Sequence, residues 1–367
     1  MPRANILSVP EIRLPGRFHQ ESARREKALP LFWAGSGFEL CFTGEELTLH
    51  LEADFLRAEP WIAVEINGAP LLRMPLPQGR SQVCLFRGMT DGSVKRVRLF
   101  KETQPVADDP AHSLLIREVS WKGGVFVPPP EPSCMLEFIG DSLTSGEGVV
   151  GAVGETDWAP VLFSASRTWA KRTADILHGE FTAISQSGWG VRSGWDNNPD
   201  HRVPDLYGQV CAPAAGEMGL RMGAQEAYRY GPPLPDAVIV NLGTNDAGAM
   251  DNPPWYGKDG TEFRQERTPE GIALFEQAVV DFLHTLRHWH PAAKLVWAYG
   301  MAGDILRPQL ESAVDRFCRE TGDKAAYYLP LPSATEETMG SRQHPGPQCH
   351  QEAAQITAEF LRKIGVI

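Results

Sequence analysis

The sequence predicts an antiparallel β-sandwich followed by an α/β sandwich with a parallel sheet. Three observations carry this expectation. Short alternating apolar runs separated by turn residues fill the chain up to Val127. A proline-dense break, Pro128-Pro129-Pro130-Glu131-Pro132, follows. From Cys134 onward, apolar strands alternate with amphipathic helical stretches. The expected division is a β domain over 1–127, a linker over 128–133 and an α/β domain over 134–367.

In the first part, Phe38-Glu39-Leu40-Cys41-Phe42 and Leu47-Thr48-Leu49-His50-Leu51 flank a turn at Gly44. Trp61 to Ile66 and Leu71 to Met74 flank Asn67-Gly68. Both residues of that pair accept positive φ, which makes it a strong hairpin signal. Val97 to Phe100 and Leu114 to Val119 continue the pattern. In the second part, Met135 to Ile139, Phe181 to Ser185, Asp236 to Asn241 and Lys294 to Tyr299 read as buried strands, with a fifth near Tyr327. A helix is expected over about Ser164 to His178. Between Gly271 and His290, Phe275, Val279, Phe282, Leu286 and Trp289 fall three and four apart, the stripe of an amphipathic helix. Leu310, Val314 and Phe317 mark another helix, and Ala353, Ile356, Phe360, Leu361 and Ile364 a last one. Strands alternating with helices imply a parallel sheet covered on both faces.

Composition bounds the partners. The chain has 367 residues, 42% hydrophobic and 22% charged, with a formal net charge of -11. An acidic chain has no general attraction for phosphate backbones, so no nucleic-acid partner is expected. No window approaches the roughly 18 apolar residues of a membrane span, and no signal-like apolar stretch follows the basic start. No membrane partner and a cytoplasmic location are therefore expected, with small imported or internal molecules as substrates. Oligomeric state is not predicted. The six cysteines show no C-x-x-C spacing and read as buried thiols. His284 and His288 have the spacing of a metal pair, but no H-E-x-x-H pattern or third ligand accompanies them. No metal or organic cofactor is implied.

Chemistry in such a sheet belongs at the carboxyl ends of its strands. The first strand runs into Gly140-Asp141-Ser142-Leu143-Thr144-Ser145-Gly146, and the third into Leu242-Gly243-Thr244-Asn245-Asp246. Gln343-His344-Pro345 precedes the last helix. A serine, a histidine and an asparagine projecting from loops fit acyl transfer: the hydroxyl attacks a carbonyl, the imidazole takes its proton and the amide stabilises the oxyanion.

The blocks Phe138-Ile139-Gly140-Asp141-Ser142-Leu143-Thr144, Ser187-Gly188-Trp189-Gly190, Gly243-Thr244-Asn245-Asp246 and His344-Pro345 stand in order. In them the chain from Cys134 onward resembles the GDSL/SGNH hydrolases, whose fold is a flavodoxin-like three-layer α/β/α sandwich. The resemblance implies Ser142 as nucleophile, His344 as general base, and an oxyanion hole from the Ser142 N–H, the Gly188 N–H and the Asn245 side chain. Gly190 is the alternative to Gly188. Asp141, Trp189, Gly243 and Trp297 are expected on the substrate side, with Asp141 also shaping the nucleophile turn, Asp246 capping the following segment and Trp195 a further stacking candidate. Gly16-Arg17-Phe18, Leu31 to Ser36, Glu39 to Gly44 and Val97 to Thr103 resemble the jelly-roll domain of two-domain acetyl esterases of carbohydrate esterase family two. That resemblance implies a serine esterase removing acetyl groups from a small sugar through an acyl-enzyme.

One position departs from the family pattern. The acid usually found three residues before the histidine is replaced by Ser341, with Arg342 and Gln343 after it. Either a Ser-His dyad operates with a backbone carbonyl holding the ring, or an acid comes from elsewhere. Two other functions compete: a short-chain lipase-like esterase or thioesterase, and a non-catalytic carbohydrate-binding protein.

Overall fold

The computed structural model describes residues 1–367. The chain divides into two compact units. The first comprises Met1–Glu131 together with Trp158–Ser166 and Gly208–Tyr228; the second comprises Pro132–Asp157, Arg167–Tyr207 and Arg229–Ile367.

The first unit holds β1 (Arg3–Asn5), β2 (Leu29–Pro30), β3 (Gly37–Phe42), β4 (Glu46–Asp54), β5 (Trp61–Ile66), β6 (Ala69–Pro75), β7 (Gly79–Phe86), β8 (Lys95–Lys101), β9 (Ser113–Lys122) and β10 (Phe126–Val127). They form two five-stranded sheets. One runs β1-β9-β4-β7 with β2 also on β9, and the other runs β10-β3-β8-β5-β6. Every pairing is antiparallel. Strand side chains alternate faces, so residues two apart share one. Phe38, Leu40 and Phe42 of β3 therefore meet Leu47, Leu49 and Leu51 of β4 in one core. The β5–β6 hairpin turns through Asn67 (φ 54°) and Gly68 (φ 81°), with Ile66 opposite Ala69.

Buried polar groups fasten the two later segments to this unit. The Arg73 guanidinium donates to Val161 O at 2.8 Å, Phe163 O at 2.6 Å and the fully buried Glu102 carboxylate at 3.1 Å. Glu102 also accepts from the Ser166 N–H at 3.0 Å. The Trp33 indole donates to Val210 O at 2.7 Å. Within Met1–Glu131 itself, Lys101 donates to Phe32 O and Gln104 O at 2.7 and 3.2 Å, and burial pushes its amine down to about 7.

The second unit holds β11 (Met135–Gly140), β12 (Glu180–Ser185), β13 (Ala237–Asn241), a small hairpin of β14 (Trp255–Tyr256) and β15 (Glu262–Phe263), β16 (Lys294–Tyr299) and β17 (Ala326–Pro330). Its main sheet is parallel throughout, in the order β12-β11-β13-β16-β17. The resulting mixed α/β fold has the strand order of a flavodoxin-like doubly wound sheet. Adjacent residues of β11 show that both faces are covered. Phe138 meets Trp169 of helix Trp169–Ile176 edge-on at 5.0 Å. Ile139, pointing the other way, packs with Phe275 and Val279 of helix Pro269–Trp289 and Phe317 of helix Arg307–Thr321. Helix Pro347–Lys363 packs with Trp169–Ile176.

The helix expected from about Ser164 begins at Trp169. Thr168 caps it by accepting from Lys171 N at 3.4 Å, and residues Ala165–Arg167 form a 3-10 turn. Among the cysteines, Cys84 is exposed and Cys318 half-buried, which corrects the expectation of six buried thiols. No helix is long and apolar enough to cross a membrane.

The anchoring of Trp158–Ser166 can be tested at Glu102. Glu102 is fully buried and serves both the Arg73 guanidinium and the Ser166 N–H, so Glu102→Ala should cost about 2 kcal/mol of stability. It should also open this segment to protease. Denaturant titration and limited proteolysis read both effects, and a variant as stable and resistant as wild type contradicts the anchoring.

Candidate active site

Ser142 enters at the carboxyl end of β11. Asp141 caps the short helix Ser142–Ser145 by accepting from the Leu143 N–H at 3.0 Å. The first N–H groups of a helix have no intrahelical acceptor, so the Ser142 N–H is available to a ligand. The hydroxyl of Ser145 reaches that of Ser185, the last residue of β12, at 2.9 Å. The turn that carries Ser142 is thereby tied to the neighbouring strand.

The Ser142 Oγ and His344 Nε2 lie 2.9 Å apart. On the far side of the ring, Nδ1 is 2.7 Å from the carbonyl oxygen of Arg342. A carbonyl can only accept, so Nδ1 carries the hydrogen and the Nε2 lone pair faces the serine hydroxyl. That is the tautomer a general base requires. The group facing Nδ1 is therefore the backbone carbonyl, the first of the two alternatives left open by the missing acid. Ser341, at the position of that acid, donates its hydroxyl to Val150 O at 2.8 Å.

Glu147 and the pair Arg342-Gln343 complete this arrangement. Arg342 and Gln343 both take left-handed backbone, with φ of 55° and 56°. The Arg342 guanidinium donates to Glu147 Oε1 and Thr156 O, each at 2.6 Å, and its N–H donates to Glu155 O at 2.7 Å. The other Glu147 oxygen is 4.0 Å from His344 Nε2. No residue type advertises such a turn, so the sequence carried no signal for it.

Asn245 sits in the first turn of helix Thr244–Ala249, after β13, which adjoins β11. Its amide donates to Asp141 Oδ2 at 3.1 Å and to Trp189 O at 3.0 Å. The alternative between Gly188 and Gly190 separates on hydrogen bonding. The Gly190 N–H is spent on Ser193 O at 2.9 Å and His201 O at 3.3 Å, whereas no protein acceptor takes the Gly188 N–H. Gly190 has a different reason to be glycine: a Cβ there would lie 2.5 Å from Asp246 Oδ2.

Asp246 does not cap the segment after it. Fully buried, it accepts from Val191 N at 2.8 Å, Arg192 N at 2.9 Å and the Gln265 amide at 3.0 Å, and so fixes the loop after β12. Of the aromatic candidates, Trp189 is half-buried and stacks on His201 at 4.8 Å. Trp195 is 56% exposed and donates its N–H to Gly188 O at 2.9 Å. Trp297 is fully buried in the core with its indole on Leu242 O, so it is corrected from a sugar contact to a packing residue. Asp141 and Gly243 are likewise buried; they shape the turns after β11 and β13 and offer no surface to a substrate. His350 lies in the first turn of the last helix and accepts from the Trp169 N–H.

Burial pushes the Asp141 carboxyl up from 3.8 to about 7, against the pull of the Leu143 N–H and with help from the charges of Asp246 and Glu147. Burial also raises Asp246.

A Ser-His pair at the carboxyl ends of a parallel sheet in this strand order, with glycine and asparagine donors beside it, is the arrangement of the SGNH hydrolases. No protein-family profile matches the chain, but whole-chain comparison places it. It is similar to the acetyl xylan esterase Est2A of the rumen bacterium Butyrivibrio proteoclasticus, with 39% identity and a TM-score of 0.95 over 100% of this chain and 99% of that one. A family two carbohydrate esterase from Clostridium thermocellum, in complex with cellohexaose, superposes with a TM-score of 0.79 at 24% identity over 97% of this chain and 100% of that one. Among curated proteins, the cellulase/esterase CelE of Acetivibrio thermocellus is 26% identical over 371 residues, 97% of this chain; the chain spans 40% of that protein's length. The chain belongs to carbohydrate esterase family two, within the SGNH (GDSL) hydrolases.

The elevated Asp141 carboxyl makes a prediction about pH. Between about 4 and 7 the folded chain holds a proton there that the unfolded chain has released, so its contribution to stability falls as pH rises through that window. Asp141→Asn removes this dependence. Melting temperatures measured at about pH 5 and about pH 8 should differ less in the variant than in wild type. An unchanged difference contradicts the elevated value.

Proposed function

We propose that the chain is a serine esterase that removes acetyl groups from sugar hydroxyls, with acetylated xylan fragments as the substrate class. The observation that carries the proposal is the Ser142–His344 contact of 2.9 Å with Nδ1 held by the Arg342 carbonyl. The acetyl xylan esterase at 39% identity supports the choice of substrate class. On the same reading, the two antiparallel sheets of the first unit are the jelly-roll domain of the family.

Ser142 Oγ attacks the acetyl carbonyl carbon as its proton passes to His344 Nε2. The imidazolium keeps its Nδ1–H on Arg342 O. Charge on the former carbonyl oxygen is met by the Ser142 N–H, the Gly188 N–H and the Asn245 amide; the last must share a hydrogen now given to Asp141 or Trp189. His344 returns its proton to the departing sugar oxygen as the C–O bond breaks, leaving acetyl on Ser142. Water, deprotonated by His344, then releases acetate and restores the serine. Trp195, exposed beside Gly188, is the surface on which a sugar ring would stack.

Hydrolysis of a p-nitrophenyl series from acetate to octanoate and release of acetate from acetylated xylo-oligosaccharides test this. Wild type should prefer acetate and deacetylate the sugar, and Ser142→Ala should lose at least about 10³-fold in kcat. Preference for long chains would favour a lipase-like esterase, and no turnover or fluorophosphonate labelling of Ser142 would favour a binding protein.

A further inference from the structure

The missing acid leaves two tasks: orienting the imidazole, for which the Arg342 carbonyl stands in, and stabilising the positive charge it acquires. Resting on the reading of Ser142 and His344 as the reacting pair, we propose that Glu147 and Arg342 together perform them as positioning residues, replacing one carboxylate by a carbonyl and a carboxylate that are clamped to each other.

The orienting half belongs to Arg342. Its carbonyl reaches Nδ1 only because Arg342 and Gln343 both adopt left-handed backbone, a conformation that side chains other than glycine resist. Three bonds hold Arg342 there: its N–H to Glu155 O, and its guanidinium to Thr156 O and Glu147. Ser341 and its neighbours fasten the same turn, with the Ser341 N–H on Gly148 O at 3.0 Å.

The electrostatic half belongs to Glu147. Its side chain is 3% exposed, one oxygen clamps Arg342 and the other lies 4.0 Å from the nitrogen that takes the serine proton. Its own N–H donates to Ser142 O at 3.0 Å. One residue thus connects the nucleophile turn, the orienting turn and the base. A poorly hydrated carboxylate at this distance favours the imidazolium formed when Ser142 attacks. The other charged or titratable groups around the ring do not supply that charge. Arg342 is cationic. His350, on the helix that follows, is pushed down to about 3 by burial and stays neutral. Asp141 is occupied by Leu143 and Asn245.

The test uses the full chain and p-nitrophenyl acetate across pH. Glu147→Gln keeps the shape but removes the charge. Its kcat should fall roughly 10- to 100-fold with KM little changed, and the acid limb of kcat/KM should move to lower pH. Arg342→Lys should lower kcat with the acid limb in place, and Glu147→Gln/Arg342→Lys should lose less than the product of the two single effects. Glu147→Asp should recover part of the loss, and covers the case of a poorly folded Gln variant. A folded Glu147→Gln with wild-type kcat, or one with lowered kcat and an unmoved acid limb, overturns the proposal, the second outcome marking a purely structural residue. Fluorophosphonate labelling separates this from the parent reading. Labelling of wild type but not Ser142→Ala, alongside an unaltered Glu147→Gln, sinks the positioning pair and leaves the esterase standing. A wild type that neither labels nor turns over sinks both.

Discussion

The imidazole of His344 is useful as a base only in one tautomer, and the hydrogen bond from Nδ1 to the Arg342 carbonyl selects it. A carboxylate at that position would select the same tautomer and also attract the charge that develops on the ring. A carbonyl does the first task well and the second weakly, since its dipole carries no net charge. What the turn around Arg342 provides is therefore geometric. It is obtained at the cost of two non-glycine residues in left-handed backbone, each on the order of 1 kcal/mol. The bonds from Arg342 to Glu155, Thr156 and Glu147 offset that cost and hold the carbonyl in place.

Buried carboxylates recur around the site, and each holds a different loop. Asp141 rigidifies the turn after β11, Asp246 gathers two backbone N–H groups of the loop after β12, and Glu147 holds the turn before the last helix. Burial drives Asp141 and Asp246 toward the neutral acid. N–H donors counter it to different degrees, which is why Asp141, with few donors and acidic neighbours, stands so far above its ordinary range. The result is a set of loops from different strands whose relative positions are set by hydrogen bonds to charge acceptors, stronger and more directional than packing between small loop residues.

What could be read from the sequence followed what has a local signature. The strands of the parallel sheet announced themselves by apolar runs, and Ser142, Asn245 and His344 by falling at the ends of strands or ahead of a helix. Asn67-Gly68 announced its hairpin because both residues tolerate the same unusual φ. The errors have physical causes too. Trp297 lies near a strand end in sequence, but its neighbours on both sides are buried and its indole turns inward to Leu242 O. Gly188 could not be separated from Gly190 without knowing which N–H was already spent. Glu147 and Arg342 meet across 195 positions of chain, and no periodicity or motif encodes such a pairing. The attachment of Trp158–Ser166 and Gly208–Tyr228 to the first unit rests on single side chains such as Arg73, Glu102 and Trp33. These leave no rhythm in the sequence.

That attachment bears on how the chain is made. A ribosome delivers residues in order, and an amino-terminal domain ordinarily completes itself while the rest is still being synthesised. Here the first unit lacks part of its own substance until Tyr228 has emerged, well after β11 and β12 of the other unit. Its buried Glu102 and the Trp33 indole must wait, without their later partners, for segments that arrive from the far side of Ser142. The two units are therefore interleaved in the order of synthesis, and the first cannot be finished before much of the second has been made.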